Sequence, residues 1–238
     1  MNEVLLMGGE PIVIPTGDVL FLYDPATNKD LITDTVCGAL KASTTVDTTV
    51  KIDGNDTLKF AAAGAGAVLT FPSGIDLNAL TEWTIEWSSR PTAIGLSYFT
   101  EFFLDPTPSA GIPLGCRWCD GGYGDKLQFN IADFNNARLW RPPFAKSAKV
   151  NVLTKYSMVY KGGVVKVYVD GVLQTLTNGV EGSSTSQTFI TKTHSWSVFT
   201  TLTLGYYNSA NVAWLGNFGR IRISNFARYL GTHTPGAF

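Results

Sequence analysis

Every apolar run in this chain is short, and each ends at residues that turn the backbone. The runs are Val19 to Tyr23, Val50 to Ile52, Leu58 to Phe60, Val68 to Phe71, Trp83 to Trp87, Tyr98 to Leu104, Leu127 to Ile131, Tyr156 to Tyr160, Val164 to Val169, Leu202 to Tyr206 and Arg220 to Ser224. They make about eleven strands spaced about 8–20 residues apart, a pattern that predicts a sandwich or jelly roll. Within them the period is two. Trp83, Ile85 and Trp87 share one face and Glu82, Thr84 and Glu86 the other; Tyr156, Met158 and Tyr160 alternate with Ser157 and Val159; Ile221 and Ile223 oppose Arg220, Arg222 and Ser224. Lys161-Gly162-Gly163-Val164 predicts a β-hairpin and Asp170-Gly171 a second turn, whereas residues 179–186, rich in Gly, Ser and Thr, read as a loop. No stretch sustains a helical period. Composition agrees: the chain holds 24 Gly and 27 Thr, and 13 of its 19 acids are Asp, a bias toward strands and turns over helices. The sequence therefore predicts an all-β chain.

At 238 residues it is long enough for one large domain with a full core and no disulfide or metal staples. Pro11-Ile12-Val13-Ile14-Pro15 brackets three β-branched residues with prolines, so it is extended but unsuited to a sheet interior. We read residues 1–17 as an extended N-terminal arm and 18–238 as the domain. Ile12, Val13 and Ile14 are the arm's docking residues, able to add a strand to a neighbour's sheet edge or to lie in a groove. A net charge of −1 supplies no field for a polyanion, which argues against nucleic acid. Glu3 stands where a signal peptide needs positive charge, and no apolar window approaches the roughly 18 residues of a membrane span. Synthesis in a reducing cytoplasm, without export or membrane insertion, is the expectation. The three cysteines, Cys37, Cys116 and Cys119, show no disulfide framework.

Four segments, in order, carry a resemblance. They are Val50-Lys51-Ile52-Asp53-Gly54 with Leu58, then Trp83-Thr84-Ile85-Glu86-Trp87, then Tyr156 to Tyr160 through Val167-Tyr168-Val169-Asp170-Gly171. The fourth runs from Leu202-Thr203-Leu204-Gly205 through Gly219-Arg220-Ile221-Arg222-Ile223-Ser224-Asn225 to Ala227-Arg228-Tyr229 and Thr234-Pro235. The chain from about residue 19 onward resembles the concanavalin A-like, laminin-G-type jelly roll, in the form common in virion proteins of tailed bacteriophages. The resemblance implies a two-sheet antiparallel sandwich. It leaves function open, because members of the superfamily bind glycans, bind proteins, cleave glucans or decorate a particle.

Catalytic sets are not evident. Glu82 and Glu86 are the one glutamate pair on a single strand, and four residues at about 3.3 Å each set them about 13 Å apart, too far for either hydrolytic geometry. Thr84 occupies the place of the intervening Asp in the glucanase motif the fold implies, and a solvated sheet face accounts for both glutamates. His194 and His233 adjoin no recognisable nucleophile, and Gly-x-Ser-x-Gly is absent. Cys116-Arg117-Trp118-Cys119 is half a zinc spacing without a second pair, so free thiols are the simpler reading. Asp53-Gly54-Asn55-Asp56 opens like a calcium loop, but its twelfth position is Gly64 rather than Glu. Residues 120–125 read as a tight turn. No metal, cofactor or catalytic residue is assigned.

Sugars bind to aromatic faces in shallow sites flanked by Asp, Asn and Gly. Trp118, Trp140, Trp196 and Trp214 fall in or near loops and are the candidate glycan-binding residues; the same rings could instead plug the sandwich or anchor a protein. The basic stretch of Arg138, Arg141, Lys146, Lys149 and Lys155 reads as a solvated face, and Arg228-Tyr229 as part of fold closure. The sequence thus leads to a non-enzymatic virion protein, a capsid decoration or small tail accessory held to capsid or tail proteins by its arm. The alternative is a glycan-binding module for host attachment. Self-association into a homo-oligomer stays open.

Overall fold

A computed structural model describes residues 19–25, 44–61, 66–93, 99–105, 114–119, 126–131, 144–147, 150–177, 186–191, 198–205 and 215–236. These residues form seventeen strands and no helix. In chain order the strands are β1 (Val19–Tyr23), β2 (Thr44–Ile52), β3 (Asn55–Phe60), β4 (Ala67–Ile75), β5 (Glu82–Ala93) and β6 (Phe99–Asp105). Next come β7 (Leu114–Cys119), β8 (Lys126–Ile131), β9 (Phe144–Ser147), β10 (Thr154–Lys161) and β11 (Val164–Val169). The last are β12 (Val172–Leu173), β13 (Leu176–Thr177), β14 (Ser186–Gln187), β15 (Ile190–Thr191), β16 (Phe199–Leu204) and β17 (Leu215–Ser224). The expected eleven runs are all represented, most of them inside longer strands. The additions are β7, β9 and the two-residue strands β12 to β15; Ser186, read as loop, opens β14.

The strands form two antiparallel sheets. One has nine strands in the order β12-β11-β10-β5-β17-β3-β2, with β1 also on β17 and β15 also on β11; the other has eight, ordered β14-β13-β9-β8-β7-β6-β16-β4. This is a two-sheet antiparallel sandwich of the jelly-roll type. Three tight hairpins set its registers. Asp53-Gly54, Gly162-Gly163 and Asp170-Gly171 each have positive φ at both central positions, the type I′ geometry whose twist matches antiparallel strands. The apparent calcium-loop opening at Asp53 is thus a hairpin turn.

The core lies where the alternation puts it. Trp83, Ile85, Trp87, Tyr156, Met158, Ile221 and Ile223 from the nine-stranded sheet meet Leu69, Phe71, Leu104, Leu114, Leu202 and Leu204 from the other. Trp83 stacks on Tyr160 with centroids 5.5 Å apart, and Trp87 on Tyr156 at 5.1 Å. Phe21 meets Phe71 edge-on across the sheets at 4.8 Å. Burial of each such side chain contributes about 1.5–3 kcal/mol. Pro72 lies in β4, which pairs on one side with β16 and ends the sheet's order, the edge position proline tolerates.

Candidate functional site

The residues of chemical interest lie on the outer face of the nine-stranded sheet, opposite the core. Period two turns Glu82, Thr84 and Glu86 of β5 outward. Beyond Ser224 the chain doubles back as an irregular strap, residues 225–236, and all three side chains hold it. A Glu82 Oε2 accepts the Ala227 amide at 3.1 Å. The Thr84 hydroxyl donates to the Phe226 carbonyl at 2.7 Å and accepts the Arg228 amide at 2.9 Å. Glu86 accepts the Tyr229 hydroxyl at 2.5 Å and pairs with Arg222 Nη2 at 2.7 Å and Arg228 Nε at 3.1 Å.

Glu86 is only 2% exposed, so the solvated face expected for it does not exist. Two guanidiniums and a phenol surround its carboxylate, so the buried acid is met by opposite charge and a donor. Burial, then the Glu86 charge beside it, pushes the Tyr229 phenol well above its usual range. Glu82 is half-covered and pairs with Lys161 at 2.7 Å; that hydrogen bond and the Ala227 amide hold its carboxyl below the ordinary value. Arg228 also lies over the Phe226 ring, 4.6 Å from its centroid. The fold-closing role expected of Arg228 and Tyr229 is what the contacts show.

Farther along, the strap covers a small apolar pad of Val159, Tyr168 and Ala227, with Leu173 and Tyr229 against it. His233 stacks on Tyr229 with centroids 3.6 Å apart and planes 3° from parallel, and meets Tyr168 edge-on at 5.1 Å. Its backbone N–H donates to the Gly171 carbonyl at 2.9 Å. Lys155 Nζ donates to Asp53 at 2.7 Å and to the Gly236 carbonyl at 3.1 Å, so the lysine expected on a solvated face instead joins strap, β10 and the β2–β3 turn. Between strap and sheet remains a water-sized cavity whose lining includes Glu86, Lys155, Ser157, Tyr229, His233 and Pro235.

A second polar knot sits where β2 bulges against β3. Asp47 accepts from the Thr49 amide and hydroxyl, the Val50 amide and Asn217, and these bonds, Thr49 foremost, hold its carboxyl down at about 2. Among the described residues no group of three or more His, Cys, Asp or Glu could hold a metal ion. Cys116 is buried and in no disulfide. Cys116 and Cys119 share β7, where a separation of three puts their positions on opposite faces of the strand.

Ile12, Val13, Ile14, Cys37, Trp140, Trp196 and Trp214 lie outside the described residues, as does the side chain of Trp118. The backbone of Trp118 is in β7, paired with Phe99 and Leu127, one residue short of the strand's end. Strand registers sort the segments that carry these tryptophans. Leu215, next after Trp214, pairs with Ala93, at the opposite end of β17 from the Val19–Ser224 pair. Gly205 lies against Phe60, the partner of Gly216, so the Leu204 end of β16 falls at the Leu215 end. Leu204 pairs with Phe102 on β6, and Phe99 farther along β6 pairs with Trp118, which brings Trp118 to that same end. Ile131 and Phe199, the described residues flanking the segments with Trp140 and Trp196, belong to the other end.

No protein-family model and no curated protein sequence matches this chain. Solved structures do. Domain 4 of AbnA, a GH43 extracellular arabinanase from Geobacillus stearothermophilus solved in complex with arabinotriose, aligns with a TM-score of 0.57 at 16% identity, covering 90% of this chain and 95% of that one. Trypanosoma rangeli sialidase in complex with sialic acid aligns at 0.58 and 12% identity over 95% of this chain, which spans only 34% of the sialidase. The receptor binding domain of botulinum neurotoxin C/D mosaic serotype aligns at 0.53 and 10% identity, over 79% of this chain and 42% of that one. At these identities the shared property is the all-β fold.

Proposed function

We propose that this chain is a non-catalytic carbohydrate-binding domain. The observation that carries the reading is its correspondence, over 95% of that domain's length, with an arabinanase domain solved with a trisaccharide bound. Two other neighbours, a sialidase solved with sialic acid and a toxin receptor-binding domain, lean the same way. The strap supports the non-catalytic half of the reading, since Glu82, Thr84 and Glu86 are engaged in holding the chain's own tail. In this reading Trp118 and Trp214, adjacent in sequence to strand residues at the Leu215 end, are the aromatic residues that would meet the sugar.

The test is a glycan array followed by calorimetry on the full chain. Trp214→Ala and Trp118→Ala are expected to weaken the best ligand at least about tenfold, a hot-spot-sized loss, and Trp196→Ala to leave it near wild type. A folded protein that binds no glycan on the array overturns the reading.

The resemblance to virion proteins of tailed bacteriophages, which the segment from Ile221 to Tyr229 helps to carry, favours a particle as the setting, with this domain as a decoration or tail accessory. The described chain begins at Val19 beside Ser224, at the end of β17 opposite Leu215, so residues 1–17 would tether one end and leave the other outward. Deleting residues 1–17 should abolish incorporation into particles while the domain stays folded; retained incorporation would sink the tether.

A further inference from the structure

We propose that the strap, residues 225–236, is an acid-sensitive latch triggered by His233: it lies docked on the sheet while the imidazole is neutral and lifts when the ring gains a proton. The strap has two sets of anchors. Its root is held by Glu82, Thr84 and Glu86, and its tip by the Gly171 carbonyl, by Lys155 and by the stack of His233 on Tyr229. The trigger sits at the tip and touches the root through Tyr229, whose hydroxyl is bound to Glu86.

The chemistry of the ring supplies the sensitivity. His233 Nδ1 donates to the Gly231 carbonyl at 3.1 Å, which fixes the neutral tautomer with its proton there. Acid adds the second proton at Nε2, which has no partner among the described residues, and the added charge is half-buried between two aromatic rings. Its surroundings pull both ways: burial disfavours the cation most, while the Gly231 hydrogen bond and the Glu86 charge favour it less strongly. Glu86 from β5 is the nearest acid, and it is already met by Arg222 from β17 and Arg228 from the strap. Lys155 from β10 lines the same cavity, with its own charge answered by Asp53 of the β2–β3 turn. Asp170, in the β11–β12 turn, accepts the Lys155 amide. Burial accordingly pulls the His233 pKa below its usual 6.5.

The sign follows from linkage. A docked strap prefers the neutral ring and a lifted strap frees it, so docking is at full strength above the free value. It weakens as pH falls below that value, by at most about tenfold per pH unit, until the docked ring itself titrates. Glu82, whose carboxyl Lys161 and the Ala227 amide hold below its ordinary value, titrates only in stronger acid. Lifting the strap bares Glu86, Tyr168 and Val159 while the sandwich core stays closed.

Amide hydrogen exchange on the full chain between pH 7.5 and 5, expressed as protection factors, tests the latch. Protection at Ala227, Arg228 and residue 233 is expected to fall severalfold from pH 6.5 to 5.5, with no change at the β5 amides. His233→Phe keeps a flat ring on Tyr229 and should make strap protection independent of pH over that range; His233→Gln serves if the phenylalanine variant does not fold. A constant strap in the wild type, or the same fall in the variants, overturns the proposal.

Discussion

Tyr229 donates its hydroxyl to Glu86 at 2.5 Å across 143 residues of sequence, and this bond closes the outer face of the nine-stranded sheet. The carboxylate it reaches is 2% exposed and also pairs with Arg222 and Arg228. One acid in the middle of β5 thus joins the sheet, the last strand and the strap.

Removing either partner should be felt. Tyr229→Phe leaves a buried carboxylate oxygen short of a donor and is expected to reduce stability by about 1–3 kcal/mol. Glu86→Ala takes the shared carboxylate away from two partly buried guanidiniums, Arg222 and Arg228, and the loss should reach about 3–5 kcal/mol. Urea denaturation of the two variants measures both, and the order of the losses is the decisive result.

Gly171 has φ of 74° and its missing side chain faces the His233 carbonyl, which a Cβ would strike. Gly162 has φ of 60° with open space around it. Gly162→Ala should therefore lose about 1–2 kcal/mol from the backbone alone. Gly171→Ala carries the same strain and in addition must displace the strap tip. Proteolysis within residues 230–236 should accelerate in the second variant and not in the first.

Asp47 contributes to acid stability in a defined window. Its carboxyl is held at about 2 against an ordinary 3.8, so the folded chain prefers it charged. That contribution is complete above pH 3.8 and is lost as pH falls toward 2. Urea midpoints measured between pH 5 and 2 should drop less steeply in Asp47→Asn, which has already lost the charged acceptor.

Cys116 is fully buried in the core, so in the native protein a maleimide should leave it unmodified, and labelling should appear only with unfolding. Mass spectrometry of peptides containing residue 116, with and without urea, decides this.

Much of the sandwich was legible because alternation is a local signal. Trp83, Ile85 and Trp87 announced a buried face, and Gly162-Gly163 and Asp170-Gly171 announced turns that the backbone angles match, whereas Asp53-Gly54 read as the opening of a calcium loop. Strand β7 was hidden because Gly115 and Arg117 break its apolar run and the two cysteines suggested a ligand motif. The pairs β12 to β15 exist through their neighbours and have no sequence period of their own. Glu86 shows the deeper limit. Period two tells which way a side chain points, but what covers it is set by residues more than a hundred positions away. A polar face under a strap and a polar face in water therefore read alike. The one usable hint was the apolar and aromatic pattern Phe226, Ala227 and Tyr229 after the final strand, too rich for a free tail.

The place of β17 between β5 on one side and β3 with β1 on the other has a consequence for biosynthesis. β2 and β3 can pair with each other early, but β1 and the other edge of β3 have no neighbour until β17 has been made, so the sheet's middle stays vacant until then. Assembly is postponed to a late, long-range closure, which makes folding slow and leaves bare strand edges exposed meanwhile. A message cut short before Leu215 would yield two half-sheets with nothing to join them.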